Sequence, residues 1–162
     1  MNARSMSAIC GLVALSIGLT APAVRADDQN KQSVTVSFGA GLNIPSNLPA
    51  NHHVLPEIIR IKTGGTVNFV VAGFHQIYVY LPGTKPGDIV IPPAGPLIND
   101  KTNLYYEGIP ASGTPPAGLS NAQNRVESVS FSEPGTYLVI CNVRSHFING
   151  MIAYVEVTGG DK

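Results

Sequence analysis

Glycine and proline break the chain into short pieces. The 162 residues include 17 Gly and 13 Pro, and no long stretch repeats apolar residues at the spacing of an amphipathic helix. The segments between the breaks alternate polar and apolar residues or are rich in β-branched and aromatic ones, which is typical of strands. Strands this short and this evenly spaced predict an all-β fold, a sandwich or a barrel. The predicted strands are 33–38, 57–62, 66–72, 75–81, 126–132, 136–141 and 151–158.

The N-terminus has the pattern of a secretory signal peptide. Arg4 precedes an apolar run over residues 8–19, and Val24 and Ala26 are the small residues that a signal peptidase prefers. The apolar run is too short to span a membrane comfortably. We therefore expect residues 1–26 to be a signal peptide and 27–162 a single exported domain, with the periplasm as its location. Cleavage after Ala23 is the alternative, because Ala21 and Ala23 form a second pair of small residues.

The charge balance excludes several kinds of partner. Ten basic and ten acidic residues give a formal net charge of +0, and the basic residues form no cluster. Nucleic acids and anionic membrane surfaces attract clustered lysine and arginine. The sequence therefore predicts no nucleic-acid partner, and no second apolar stretch is long enough to predict a membrane span.

Residues 82–125 interrupt the strand pattern. This stretch is rich in proline and glycine, carries Tyr105 and Tyr106 near its middle, and is predicted to be a long irregular insertion with one short helical turn. Loops of this length inside a compact domain are usually functional or mobile. Two interpretations stay open at this point: an insertion without a role of its own, or a contact surface for a partner.

Sulfur is unusually sparse in the predicted mature chain. The whole sequence has two Cys and three Met, and removal of the signal peptide leaves Cys141 and Met151. A lone cysteine cannot form an internal disulfide, so an unpaired thiol in an oxidising compartment needs another explanation. Burial, intermolecular pairing and metal ligation are the candidates.

The surviving cysteine and methionine lie in one short segment with a histidine. Cys141, His146 and Met151 follow each other at intervals of five between two predicted strands. Two imidazoles, a thiolate and a long axial thioether form the blue-copper ligand set. His75, at the edge of a distant strand, supplies the second imidazole, so the sequence predicts one copper ion held by His75, Cys141, His146 and Met151. A nucleophilic Cys–His pair is the alternative, but it leaves Met151 and the second His unexplained.

The sequence around these residues resembles that of the cupredoxins. The segment FSEPGTYLVICNVRSHFINGMIAYVEV, residues 131–157, is similar to their C-terminal copper-binding segment, and EIIRIKTGGTVNF, residues 57–69, to their second and third strands. The likeness covers about residues 33–157, except for the insertion. Four residues separate each ligand from the next between Cys141 and Met151, a spacing that leaves the subfamily open.

The resemblance implies a Greek-key β-sandwich with one type 1 copper ion. It implies a monomer, not an enzyme, that shuttles single electrons between redox proteins such as a cytochrome or a copper enzyme. It also implies that His146 is the electron exit, surrounded by an apolar patch from Phe147 and Ile148. A copper carrier or storage protein, and less so a copper-dependent enzyme, remain alternatives.

Two features of the sequence bear on how complete this likeness is. Gln76 stands after the first ligand, where the family usually has an Asn that ties the two ligand loops together. Whether the longer side chain makes that hydrogen bond is open at the level of sequence. His52 and His53 are adjacent, and we expect them in a solvated loop rather than in a second metal site.

Overall fold

The computed structural model describes residues 32–39, 52–110 and 124–159. The predicted signal peptide lies outside these residues. Among them, none of the helices is long and apolar enough to cross a membrane. The elements are β1 (Ser33–Gly39), β2 (Val54–Leu55), β3 (Ile58–Lys62), β4 (Thr66–Ala72), β5 (Ile77–Tyr80), β6 (Leu104–Glu107), β7 (Asn124–Ser130), β8 (Gly135–Cys141), α1 (Arg144–Ile148) and β9 (Ile152–Thr158).

The strands form two mixed sheets. One has the order β2-β1-β4-β7 and the other the order β3-β9-β8-β5-β6. The pairs β1–β4 and β3–β9 are parallel, and the remaining neighbours are antiparallel. The two sheets make the all-β sandwich that the sequence predicts, and the architecture agrees with a cupredoxin-like fold.

Alternation along the strands produces the core between the sheets. In β4, Val67, Phe69 and Val71 are buried while the residues between them are half-exposed, because successive side chains of a strand point to opposite faces. Phe38 of β1 meets Phe69 edge to face, with ring centroids 6.1 Å apart. Cys141 and Met151 belong to this same buried cluster, so the sulfur atoms lie at one end of the main core.

The insertion is more ordered than the sequence indicates. Its described part contains the predicted short helical turn, a 3₁₀ turn at Pro86–Asp88. It also contains strand β6, which was not predicted and pairs with β5 at the edge of the five-stranded sheet. Residues from it also pack on the outer face of that sheet, so that β5 is buried on both faces. This second cluster contains Tyr78, Tyr80, Ile89, Ile98, Leu138, Ile140 and Phe147. The described part of the insertion therefore completes the packing of the sheet.

Candidate metal centre

Strand pairing brings the distant histidine to the cysteine. Cys141 ends β8 and lies opposite Ile77 at the start of β5, and His75 is two residues before Ile77. The chain then turns through α1, which carries His146, and returns as β9 beside β8. Met151 immediately precedes β9, and the Cys141 amide donates a hydrogen bond to the Met151 carbonyl oxygen at 3.2 Å. All four predicted ligands thus lie at the same end of the sandwich.

Three of the donor atoms form a compact triangle. Sγ of Cys141 lies 3.6 Å from Nδ1 of His75 and 3.6 Å from Nδ1 of His146, and the two Nδ1 atoms are 3.0 Å apart. The centre of such a triangle is roughly 2 Å from each corner, close to the usual bond length between a metal ion and an imidazole nitrogen. The three donors are therefore spaced to hold one ion between them.

Most of the donor set is buried. Cys141 and Met151 are fully buried and His75 is 2% exposed, while His146 is half-buried. The Met151 amide donates to the His146 carbonyl oxygen at 2.9 Å, which holds the methionine beside the last histidine. A soft, sulfur-containing and largely buried donor set suits copper better than a hard cation.

Burial determines whether Cys141 and His146 are protonated at neutral pH. It raises the pKa of the Cys141 thiol to about 11, opposed by hydrogen bonds from the backbone amides of Gln76 and Val143 and by the charge of Arg125. Burial, and then the neighbouring His52, lower the pKa of His146 to about 4. The imidazole is therefore neutral and able to ligate, whereas the thiol stays protonated until a metal displaces its proton. A protonated thiol is a weak nucleophile, which counts against the Cys–His alternative.

Gln76 makes the hydrogen bond that the sequence left open. Its side-chain oxygen accepts from Nδ2 of Asn142, the residue after Cys141, at 2.7 Å, and its backbone oxygen accepts from the Asn142 amide at 2.8 Å. Nε2 of Gln76 donates to the carbonyl oxygen of Gly108 at 2.9 Å. The Asn99 amide donates to Oδ1 of Asn142 at 2.8 Å. The two ligand loops are thus tied to each other and to the insertion.

His52 lies against the donor triangle, which the sequence did not indicate. Its ring stacks on that of His146, with centroids 3.7 Å apart and planes 22° apart, and meets His75 at 5.6 Å. Ligand atoms of the three histidines lie within 4.8 Å of one another. The expectation of a solvated loop therefore does not hold for His52. No local pattern could have revealed this contact, because it joins residues 94 positions apart in the sequence through the tertiary fold.

The stacking decides which role His52 can have. The lone pairs of an imidazole lie in its ring plane, so those of two nearly parallel rings run side by side and do not converge on one ion. An ion held in the plane of His146 is consequently not in line with a lone pair of His52. We interpret His52 as a cover over the His146 ring rather than as a further ligand of the same ion.

The predicted apolar patch around His146 is divided between core and surface. Phe147 is only 6% exposed and belongs to the cluster on the outer face of the five-stranded sheet. Ile148, the next residue of α1, is 55% exposed. Of the two residues predicted for the patch, Ile148 alone is available to a partner.

Comparison with known proteins finds similarity in solved structures only. No family model and no curated protein sequence matches the chain. A reduced auracyanin from Roseiflexus castenholzii is 17% identical over 79% of this chain and 98% of its own, with a TM-score of 0.48. The plastocyanin of Dryopteris crassirhizoma is 21% identical over 76% of this chain and 99% of its own, with a TM-score of 0.44. A copper-containing nitrite reductase from Thermus scotoductus is 14% identical over 80% of this chain but 23% of its own, with a TM-score of 0.40.

These identities and TM-scores are too low to assign a metal site to this chain. The assignment of the site therefore rests on its donor atoms. The triangle of Cys141, His75 and His146, with Met151 buried beside it, has the composition of a type 1 copper centre. The mixed sandwich and this donor set agree with the cupredoxin resemblance of the sequence.

Proposed function

We propose that the protein is an exported type 1 copper protein that carries single electrons between redox partners. The observation that supports this most directly is the triangle of Cys141, His75 and His146, whose centre suits a single metal ion. When bound, copper supplies a one-electron couple between Cu(II) and Cu(I). His75, Cys141 and His146 would hold it as strong ligands, with Met151 as the weak axial one.

The protein around the ligands favours this role because it restrains them. Carriers of single electrons work best when their ligands move little between oxidation states. Here Cys141 sits in a strand that is hydrogen-bonded on both sides, and the Gln76–Asn142 hydrogen bonds lock the segments that follow His75 and Cys141. Burial of the sulfur ligands disfavours the more highly charged Cu(II) state, so a fairly high reduction potential is expected.

The alternatives require features that the described residues do not supply. An enzyme of the nitrite reductase kind needs a second metal site with an open position. Within residues 32–39, 52–110 and 124–159, the one group of three or more His, Cys, Asp or Glu side chains spaced for a metal is His52, His75 and His146, at the same place. A carrier that releases its copper would display its ligands, whereas His75, Cys141 and Met151 are buried. Electron transfer to a cytochrome or a copper enzyme, by a monomer, is the function we favour.

An optical spectrum of the copper-loaded protein tests the proposal. We expect an intense blue or green colour from charge transfer between the Cys141 thiolate and Cu(II), with one copper ion per chain. Cys141→Ser should abolish the colour, while His53→Ala, next to the stacked histidine, should keep it. A colourless wild-type complex, or two copper ions per chain, would contradict the proposal.

Export is tested separately from copper binding. The predicted cleavage after Ala26 should give a mature protein that begins at Asp27 and is recovered from outside the cytoplasm. The N-terminal sequence of that protein checks the cleavage site. Recovery of the full-length chain in the cytoplasm would contradict export and leave the copper proposal to its own test.

A further inference from the structure

A buried ion pair lies behind the first histidine of the donor set. Arg125 and Glu127 are two residues apart on β7, so their side chains lie on the same face of the strand. The side chains are only 10% and 2% exposed, and Nε of Arg125 donates to Oε1 of Glu127 at 2.6 Å. The pair belongs to neither the ligands nor the Gln76–Asn142 hydrogen bonds.

The positive end of the pair faces His75. Nη2 of Arg125 donates to the backbone oxygen of His75 at 3.1 Å and to that of Ile109 at 3.0 Å. The segment that it holds includes Gly73, whose φ of 96° few other residues adopt. The His75 amide donates back to the Gly73 oxygen at 3.0 Å. The guanidinium therefore holds the backbone of the residue whose ring forms one corner of the triangle.

The Glu127 carboxylate also has hydrogen-bond partners besides Arg125. Oε2 of Glu127 accepts from the Tyr106 hydroxyl at 2.8 Å and from the Ile109 amide at 3.1 Å. Gly108 makes room for it, because a Cβ there would lie 2.6 Å from the same oxygen. Both charged groups thus have defined partners: the guanidinium hydrogen-bonds to the His75 carbonyl oxygen, and the carboxylate accepts from Tyr106 of β6 and from the Ile109 amide.

A buried pair of this kind is not explained by stability alone. Removing two charges from water costs more than their attraction usually returns, and an apolar pair of similar size is often as stable or more so. The hydrogen bond from Arg125 to the His75 carbonyl oxygen brings the positive charge close to the donor triangle, which suggests an electrostatic role. A positive charge near a redox site favours its reduced state, because oxidation adds one positive charge there.

We propose that Arg125 and Glu127 are positioning residues for His75, and that the arginine end of the pair raises the reduction potential of the site. This inference rests on the proposed electron-transfer function. The inference predicts that the two charges shift the reduction potential in opposite directions. A purely structural role of the pair does not predict this.

The test is the reduction potential of the copper-loaded protein, measured by redox titration of its visible absorption. Glu127→Gln removes the negative charge, leaves an amide that can still bond to Tyr106, and should raise the potential. The double variant Arg125→Gln/Glu127→Gln removes both charges, including the one nearer to His75, and should lower the potential below that of the wild type. Arg125→Lys keeps the positive charge and should stay closer to the wild type than the double variant does.

A matched control and a copper-free measurement keep the outcomes distinct. Glu156→Gln makes the same substitution in an exposed pair with Arg60 and should leave the potential unchanged. Denaturant unfolding of each apoprotein identifies variants that do not fold, and the double variant avoids a lone buried charge. Blue proteins whose potentials shift in the same direction, or not at all, would overturn the inference and leave the copper proposal standing. Absence of a blue wild-type complex would instead overturn the proposed function.

Discussion

The ring of His52 lies flat against the ring of His146, with centroids 3.7 Å apart. His146 is the half-buried corner of the donor triangle, so the contact covers part of the one ligand face that solvent could reach. Nδ1 of His52 is itself buried without a hydrogen-bond partner among the described residues. Packing of the His52 ring on the His146 ring offsets the free-energy cost of burying Nδ1 without a hydrogen bond.

Removal of the stacked ring should expose the last histidine ligand. In His52→Ala, water gains access to His146, which stabilises the more highly charged Cu(II) state, so the reduction potential should fall. Loss of the ring contact should also cost about 1 kcal/mol of folding free energy. His52→Phe preserves a flat ring without a nitrogen and should restore both properties. Redox titration and denaturant unfolding check the effects, and a phenylalanine variant that behaves like the alanine variant would show that stacking is not the cause.

Copper binding should release a proton from the thiol. Burial raises the pKa of Cys141 to about 11, so the apoprotein carries a neutral thiol at pH 7–9 and must lose that proton to form the metal bond. His146, with its pKa lowered to about 4, is already neutral and contributes none. A pH-stat titration at pH 7.5 should record about one proton per copper from Cys141, and the apparent affinity should rise about tenfold per pH unit. Cys141→Ser should release no such proton. If the wild-type protein also releases none, the Cys141 thiol is already ionised in the apoprotein.

Most of the strands, and three of the four proposed ligands, were predictable because their signals are local. Alternation of buried and exposed residues marks β4 at the bounds that the structure shows, and the interval of five between Cys141, His146 and Met151 is visible in the sequence alone. The short strands β2 and β6 were missed. Two residues are too few for a period, and β6 lies in a stretch whose proline and glycine content is typical of a loop.

The contacts that surround the donor residues were not predictable from the sequence because they join distant segments. His52 contacts His146, and Arg125 contacts His75, only through the tertiary fold. Helix α1 is five residues long and lies inside the ligand segment, too short for a helical period. Its turn buries Phe147 and exposes Ile148, a division that the pattern of two adjacent apolar residues does not reveal.

The buried position of Met151 allows the axial role to be tested by substitution in both directions. Met151→Gln offers a harder amide oxygen, which favours Cu(II), so the reduction potential should fall while copper still binds. Met151→Leu nearly conserves volume but offers no donor, so the potential should rise. Redox titration of the two variants provides the comparison. Potentials that move together, or a glutamine variant at or above the wild type, would show that Met151 is not an axial ligand.

Ile148 is the residue through which a partner surface at His146 can be tested. It is 55% exposed and two residues from the half-buried ligand, and electron-transfer contacts bury little surface, typically under about 1,200 Å². A charge introduced there should therefore disturb much of the contact. We expect Ile148→Glu to slow electron exchange with the physiological partner without changing the copper spectrum or the reduction potential, because the side chain is directed to solvent.

A matched substitution separates this local effect from a general effect of charge. Leu81 is 43% exposed and lies six residues beyond His75, roughly 20 Å away along an extended chain. Leu81→Glu makes the same change in charge and should leave the rate of exchange near that of the wild type. Stopped-flow measurements at low and high salt provide both rates, since a net-charge effect fades with salt and a disrupted apolar contact does not. Equal rates for Ile148→Glu and the wild type would place the electron exit elsewhere on the protein.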